Sequence, residues 1–368
     1  MRIIQLAKLV AVTLFGVAGG ARAEISIDQL VEQARIVEGD VAVRDLPRWN
    51  GARKILIRDI GLNLDNLIAS LGEVEVIAVP SVSEAMQHAS DVDAIIGFCN
   101  AELIDAAAKL VWVQIYWAGA ESCLSVERVG NGDVLMSNMQ KMSSPVIAEH
   151  AIAMMLSLAR QIPQFVHVMG DDDRQNQGEI VAGGMTPIAG KNLLIVGLGG
   201  IGTEAARLGA ALGMRVSGTR NSSRDGPDFI EYVGLSHELH DLAAQADVIV
   251  NALPLTPDTK DLLDGEFFAA VKPGAIFINV GRGQTVVKDD LIAALESGRI
   301  SGAGLDVTEP EPLPADSPLW QRDDVIITPH VAGRCGERER HTVLLIENLR
   351  RYVSGDRLLN VVDPKKGY

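Results

Sequence analysis

The chain is short of cysteine, of basic runs and of repeats, and each shortage excludes a class of protein. Three cysteines, Cys99, Cys123 and Cys335, are too few and too scattered in 368 residues for a disulfide framework or a zinc site. They are expected to be small, semi-buried hydrophobes, and no metal site is expected. A formal charge of −15 without basic runs argues against nucleic acid and anionic membrane surfaces as partners. No low-complexity tract or internal repeat breaks the sequence. The apolar stretch at residues 9–18 is too short to span a bilayer comfortably.

That stretch fits a secretory leader instead. A basic start, Met1-Arg2 to Lys8, precedes it, and Ala21-Arg22-Ala23 then offers a small-x-small cleavage pattern before the acidic Glu24. The sequence predicts cleavage near Ala23-Glu24 and a periplasmic or secreted chain with no membrane attachment afterwards.

The length predicts two domains, and 47% hydrophobic residues can fill two cores. Strand and helix patterns alternate along the chain, which implies βαβ units and parallel sheets. The first set has a polar helix at 27–36, strands at 54–58, 74–79, 93–98 and 111–115, and helices at 64–71, 83–89 and 101–110. It lacks phosphate-binding glycines, so it should hold something other than a dinucleotide. The second set has strands at 192–196, 214–218, 247–252, 275–280, 302–306 and 324–328, with a clear helix at 289–297 stopped by Gly298. A long amphipathic helix at 144–160 should bridge the sets. A last helix at 337–352 should return to the first. The expected domains are 24–138 completed by 334–368, and 139–333, with a cleft between them.

The second set opens on Asn192-Leu193-Leu194-Ile195-Val196-Gly197-Leu198-Gly199-Gly200-Ile201-Gly202, a buried strand running into a glycine turn and then a helix. In such a turn Gly197 permits the sharp bend, Gly199 admits a pyrophosphate close to the backbone, and Gly202 lets helix and strand pack closely. The positive end of the helix then faces the anion. A carboxylate near the end of the next strand normally binds the ribose 2′-hydroxyl of NAD, and here it is missing. Arg220, Asn221 and Ser222 stand in its place and suit a 2′-phosphate, so the sequence predicts preference for NADP, with NAD possible.

Three polar residues follow late strands: Arg282, Glu311 and His330. Carboxyl ends of parallel strands are where open α/β sheets bind ligands. A fixed guanidinium can hold a carboxylate and polarise the adjacent carbonyl. A histidine can exchange the hydroxyl proton while a carboxylate keeps it oriented and charged. Together they suit hydride transfer to a 2-oxo acid.

These motifs resemble the D-isomer-specific 2-hydroxyacid dehydrogenases. The likeness is carried by the glycine turn, by Ile278-Asn279-Val280-Gly281-Arg282-Gly283, by Gly304-Leu305-Asp306-Val307-Thr308-Glu309-Pro310-Glu311-Pro312 and by Thr328-Pro329-His330-Val331-Ala332-Gly333. Val146-Ile147-Ala148-Glu149-His150-Ala151 is similar to the bridging-helix motif of that family, and Ala252-Leu253-Pro254-Leu255-Thr256 to its cofactor-side loop. The resemblance implies a Rossmann dinucleotide-binding domain beside a flavodoxin-like substrate domain. It implies Arg282 as substrate anchor, His330 as proton donor and acceptor, and Glu311 as its partner. Leu198, Gly200, Ile201, Leu253, Pro254, Thr259, Val280, Gly281, Asp306 and Gly333 would meet the cofactor, Asp306 near the nicotinamide.

The substrate carboxylate would be met by backbone N–H groups around Cys99, Asn100, Gly119 and Ala120. The family usually shows Ala-Gly-Val-Asp where this chain has Ala118-Gly119-Ala120-Glu121, and Trp117 is expected to narrow the pocket. The implied activity is reduction of small 2-oxo acids such as glyoxylate or hydroxypyruvate, by a homodimer. Two other readings stay open on sequence: a cofactor-sensing binding protein on the same scaffold, and a phosphite- or formate-type dehydrogenase. The formate enzymes carry glutamine as the partner of the histidine, and Glu311 disfavours that branch.

Overall fold

The computed structural model describes residues 25–61, 71–168, 182, 184–334 and 338–367. The predicted leader and most of the helix expected at 64–71 lie outside them, as does Cys335. The chain divides into two units, Met1–Met142 with Glu337–Tyr368, and Ser143–Gly336. The sequence placed these boundaries a few residues earlier. Met139 and Met142 account for the first difference, since both are buried in the core of the first unit.

In the first unit β1 (Glu38–Ala42) pairs antiparallel with the C-terminal strand Arg357–Leu359. The strands β2 (Lys54–Arg58), β3 (Glu75–Val79), β4 (Ala94–Ile96), β5 (Trp112–Gln114) and β6 (Leu135–Ser137) form one parallel sheet in the order β3-β2-β4-β5-β6. That is the flavodoxin-like order. Ile55, Leu56 and Ile57 are fully buried, so consecutive residues of β2 face covered layers on both sides of the sheet, which a parallel sheet requires. The expected helix at 101–110 stops at Ala106. The Arg128 guanidinium takes the carbonyls of Ile104 and Ala107, groups that further helical turns would have used.

The helix Arg338–Ser354 packs Leu344, Leu345, Leu349 and Tyr352 into the same core as Ile55, Ile57 and Trp112. Buried polar groups fix its register. Asn348 donates to the Gln114 side chain and to the Leu359 carbonyl, and accepts from the Leu359 N–H. Ser137 donates to Gln114 and accepts from the Trp112 indole. The Tyr352 hydroxyl donates to Asp93.

The reading of all three cysteines as separate hydrophobes is wrong for two of them. Cys99 and Cys123 form a disulfide, with Cα atoms 5.5 Å apart. Cys99 follows β4 and Cys123 follows β5. Those strands are neighbours, so the sheet brings together two thiols that are 24 residues apart in sequence.

In the second unit seven parallel strands follow the order β13-β12-β11-β10-β7-β8-β9. They are β7 (Asn192–Val196), β8 (Arg215–Arg220), β9 (Tyr232–Leu235), β10 (Val248–Asn251), β11 (Ala275–Asn279), β12 (Ile300–Leu305) and β13 (Val325–Ile327). This is the Rossmann order with one strand added, and the order reverses beside β7. The sequence reading lacked β9, whose exposed Tyr232 and paired glycine and leucine give no clean alternation. The helix Ser144–Ala159 begins this unit, and its Ala148, Ala151, Met154 and Met155 pack in one core with Leu193 and Ile195 of β7. Among the described residues no helix is long and apolar enough to cross a membrane.

Replacing Asn348 with alanine is expected to cost about 2–4 kcal/mol, because Gln114 and both Leu359 backbone groups lose a buried partner. Urea denaturation of the variant checks this, and an unchanged midpoint would contradict the role given to the network.

Candidate active site

The turn after β7 is built to approach an anion. Gly197 has φ +95°, a left-handed conformation that glycine adopts without strain. Its N–H and that of Leu198 are bound by the Thr219 side chain and carbonyl, which ties the turn to β8. A Cβ on Gly202 would lie 2.1 Å from the Gly197 carbonyl oxygen, so the helix can pack against the turn only with glycine there. A Cβ on Gly199 would meet nothing within 4 Å. The helix Gly200–Ala211 has no side-chain cap, and its first bond runs from Thr203 N–H to the Gly199 carbonyl. The N–H groups before that bond are free of intrahelical partners and face outward.

The end of β8 holds two arginines with different commitments. Arg224 pairs with Glu238 at 2.7 Å and donates to the Tyr232 hydroxyl. The Leu235 N–H, the Tyr232 hydroxyl and Arg224 together hold the Glu238 carboxyl down at about 2, so it stays anionic and keeps Arg224 engaged. Arg220 is different: its Nε is buried and has no hydrogen-bond partner. Asn221 accepts from Ser236.

The loops after β10 and β11 are braced by two buried asparagines that the sequence reading passed over. Asn251 donates to Asn279 and to Thr285. Its side-chain oxygen accepts from Leu253 N–H, and that of Asn279 from Gly281 N–H. Thr285 in turn donates to the Arg282 carbonyl. Thr259 donates to the Pro254 carbonyl and accepts from Thr256 N–H, so its hydroxyl shapes the cofactor-side loop from within. A Cβ on Gly281 would lie 2.7 Å from the Leu253 carbonyl, and one on Gly283 only 1.9 Å from that of Thr308. The Arg282 turn therefore lies against both neighbouring loops, including the one that carries Glu311. The Arg282 Nη1 donates to the Gly281 carbonyl.

Glu311 is held at both oxygens. One accepts from Thr308 N–H at 3.1 Å and the other contacts His330 Nδ1 at 2.9 Å. An ionised carboxylate only accepts, so Nδ1 carries the proton and Nε2 is the nitrogen left to exchange one. The imidazole is about half exposed, at 53%. His330 itself has φ +51°, an uncommon conformation for a residue with a side chain. Its N–H is bound by the carbonyls of Asp306 and Thr328.

Asp306 secures this arrangement from beneath. Only 3% exposed, it accepts from the Thr328 hydroxyl at 2.6 Å and from the N–H groups of Val331 and Ala332. The single Thr328 proton is thus spent on the carboxylate, so its oxygen accepts from His150 Nε2 at 2.9 Å. The resemblance implied Asp306 as a nicotinamide neighbour. In the structure its carboxylate takes its hydrogen bonds from the His330 loop, at Thr328, Val331 and Ala332. Val280 is buried, and Gly333 lies against Ile147. In the first unit Ala120 is buried and the Asn100 side chain caps the next helix through Leu103 N–H.

Residues 152–332 match the NAD binding domain of the D-isomer specific 2-hydroxyacid dehydrogenases. Human glyoxylate reductase/hydroxypyruvate reductase is 32% identical over 259 residues, 66% of this chain and 74% of that protein. The chain belongs to this family. D-3-phosphoglycerate dehydrogenase of Methanocaldococcus jannaschii is 30% identical over 84% of the chain, which spans 59% of that relative's length. Among solved structures, the NADPH-dependent glyoxylate/hydroxypyruvate reductase of Sinorhizobium meliloti, in complex with NADP and sulfate, superimposes with a TM-score of 0.71 at 27% identity. That match covers 86% of this chain and all of the other. The family consists of NAD(P)-dependent oxidoreductases, and the glycine turn, the open helix start and Arg220 fit such a cofactor. His150, Asn251, Asn279, Thr285 and Thr328 were missed as supports. The asparagines had a signal: each is the polar last residue of an otherwise apolar strand.

Changing Asp306 to asparagine turns one accepting oxygen into a donor amide facing N–H and O–H groups. The variant is expected to lose about 1–3 kcal/mol of stability, which thermal or urea unfolding would reveal.

Proposed function

We propose that the chain reduces a small 2-oxo acid such as glyoxylate or hydroxypyruvate to its D-2-hydroxy acid, with NADPH preferred over NADH. The observation that carries the reaction type is the His330 Nδ1 contact to Glu311 at 2.9 Å, which leaves Nε2 as the proton-exchanging atom. When bound, a reduced nicotinamide would supply the hydride for the carbonyl carbon. The Arg282 guanidinium binds the acid's carboxylate and draws electron density toward the carbonyl oxygen. His330 gives its Nε2 proton to that oxygen as the hydroxyl forms, and Glu311 stabilises the imidazolium beforehand. Backbone N–H groups at 98–100 and 118–120 are the first unit's own groups for a substrate carboxylate, and Trp117, 38% exposed, limits the size of the acid's side chain.

The unpartnered Arg220 Nε supports the preference for NADPH. The charge of the partly exposed Arg220 guanidinium suits a 2′-phosphate, whereas a ribose hydroxyl offers none. Arg224 cannot serve equally well while Glu238 holds it. Export from the cytoplasm belongs to the same proposal. The basic start, the apolar stretch and Ala21-Arg22-Ala23 support it, and so does the Cys99–Cys123 disulfide, since such bonds persist in oxidising compartments.

The test is oxidation of NADPH and NADH by the purified chain with a panel of 2-oxo acids. His330→Ala is expected to lower kcat by about 10²–10⁴-fold. Cofactor binding without turnover of any acid would overturn the reductase reading. Arg220→Asp is expected to shift the NADPH-to-NADH ratio of kcat/KM toward NADH by about 10- to 100-fold, the worth of one charge-assisted bond to phosphate. An unchanged ratio would remove Arg220 as the selecting residue.

A further inference from the structure

Two segments of the first unit, 97–100 after β4 and 117–120 after β5, carry the backbone groups assigned above to the substrate carboxylate. The first is anchored at its start. Gly97 has φ +80°, gives its N–H to the Gln114 carbonyl at 2.7 Å, and lies so close to the Tyr116 ring that a Cβ would stand 2.3 Å from it. The second is also anchored at its start, because the Trp117 carbonyl accepts from Met139 N–H and that of Ala118 from Asn138 Nδ2. Its far end opens a short helix. The helix that follows, Glu121–Leu124, has one turn and no side-chain cap at Ala120. The covalent link lies there: Cys123, fully buried among Phe98, Ile115 and Ala120, is bonded to the half-buried Cys99 in the first segment.

We infer that the Cys99–Cys123 disulfide is a positioning element for the substrate carboxylate, fixing the spacing of the two loops that receive it. This rests on the substrate assignment of those loops under the proposed function. The two cysteines do not touch the substrate through their sulfurs; they act through the N–H groups of 98–100 and 118–120. A sheet ladder fixes where β4 and β5 end but leaves the loops beyond them free to splay, and one crosslink removes that freedom before the ligand binds. The bond forms by exchange with an oxidised disulfide donor, such as a protein dithiol oxidant. The two thiols give up two protons and two electrons, the S–S bond forms, and the donor leaves as its dithiol. With the bond cut, the acid should bind more weakly, while the cofactor site in the other unit is untouched.

The chain is produced with its leader through an oxidising compartment and alkylated under denaturing conditions. One cysteine, Cys335, is expected to react without reductant and all three with it. Three reactive thiols without reductant would overturn the inference at once. Deuterium uptake is then compared with and without dithiothreitol, and with Cys99→Ser/Cys123→Ser as the permanently open form. Peptides covering 98–100 and 117–120 are expected to exchange faster when open, and those of β7 to be unchanged. Equal protection of the loops in both states would overturn the positioning role. In turnover, KM for the acid is expected to rise about 10-fold with kcat and the NADPH Kd held within about twofold. A KM that ignores reduction would also sink it. If the oxidised chain turns over no 2-oxo acid, the functional reading fails, and deuterium uptake alone still decides whether the bond holds the loops.

Discussion

A single buried carboxylate organises the end of the second unit that carries His330 and Glu311. Asp306 ends β12 and receives the Thr328 hydroxyl and two successive N–H groups from the loop after β13. Those bonds satisfy a charge that would otherwise be costly to bury. They also force the intervening His330 into a left-handed conformation that points its ring toward Glu311. An uncommon backbone angle persists only where its surroundings over-determine it. Here the surroundings are Asp306, Thr328 and, behind them, His150 on the helix Ser144–Ala159. The His330 loop is thus set by a chain of hydrogen bonds that begins in the core.

The same economy of donors runs along the other strand ends. Asn251 and Asn279 are fully buried, which for an amide is tolerable only when its groups are bonded. Their partners are the backbone groups of the turns that present Leu253, Gly281 and Arg282. Glycines complete the fit by removing side chains at contacts of 1.9 Å and 2.7 Å to neighbouring carbonyls. The turns after β10 and β11 are therefore closely packed against each other and pinned to the sheet by buried polar residues. Charge is divided with equal care at the end of β8, where Glu238 engages Arg224 and leaves the buried Nε of Arg220 without a partner.

The first unit solves a different problem. In its loop after β4 the Asn100 side chain is occupied with capping a helix. What the loops after β4 and β5 offer is backbone, which needs fixed spacing more than it needs chemistry. The parallel ladder supplies that spacing as far as the strand ends, and the disulfide extends it into the loops.

Much of this was legible in the amino-acid sequence, for reasons of local physics. Apolar runs of strand length, alternating with helical periodicity, specify parallel βαβ units, because each burial pattern repeats within a few residues. The glycine turn at Gly197, the missing carboxylate after β8, and Arg282, Glu311 and His330 at strand ends were readable because strand, turn and residue type lie next to one another in the chain. The tertiary structure alone decided the rest. That Cys99 meets Cys123 follows from β4 and β5 being neighbours, a fact of sheet order. That Arg220 rather than Arg224 lacks a partner depends on Tyr232 and Glu238 arriving from the next strand and turn. That Asp306 serves the His330 loop depends on β13 lying beside β12. Short strands without clean alternation, such as β1 and β9, escaped because their pairing partner, and not their own pattern, makes them strands. Sequence spacing reports which residues can share one element. Which elements become neighbours is set by the burial of whole faces, and that decides which side chains meet.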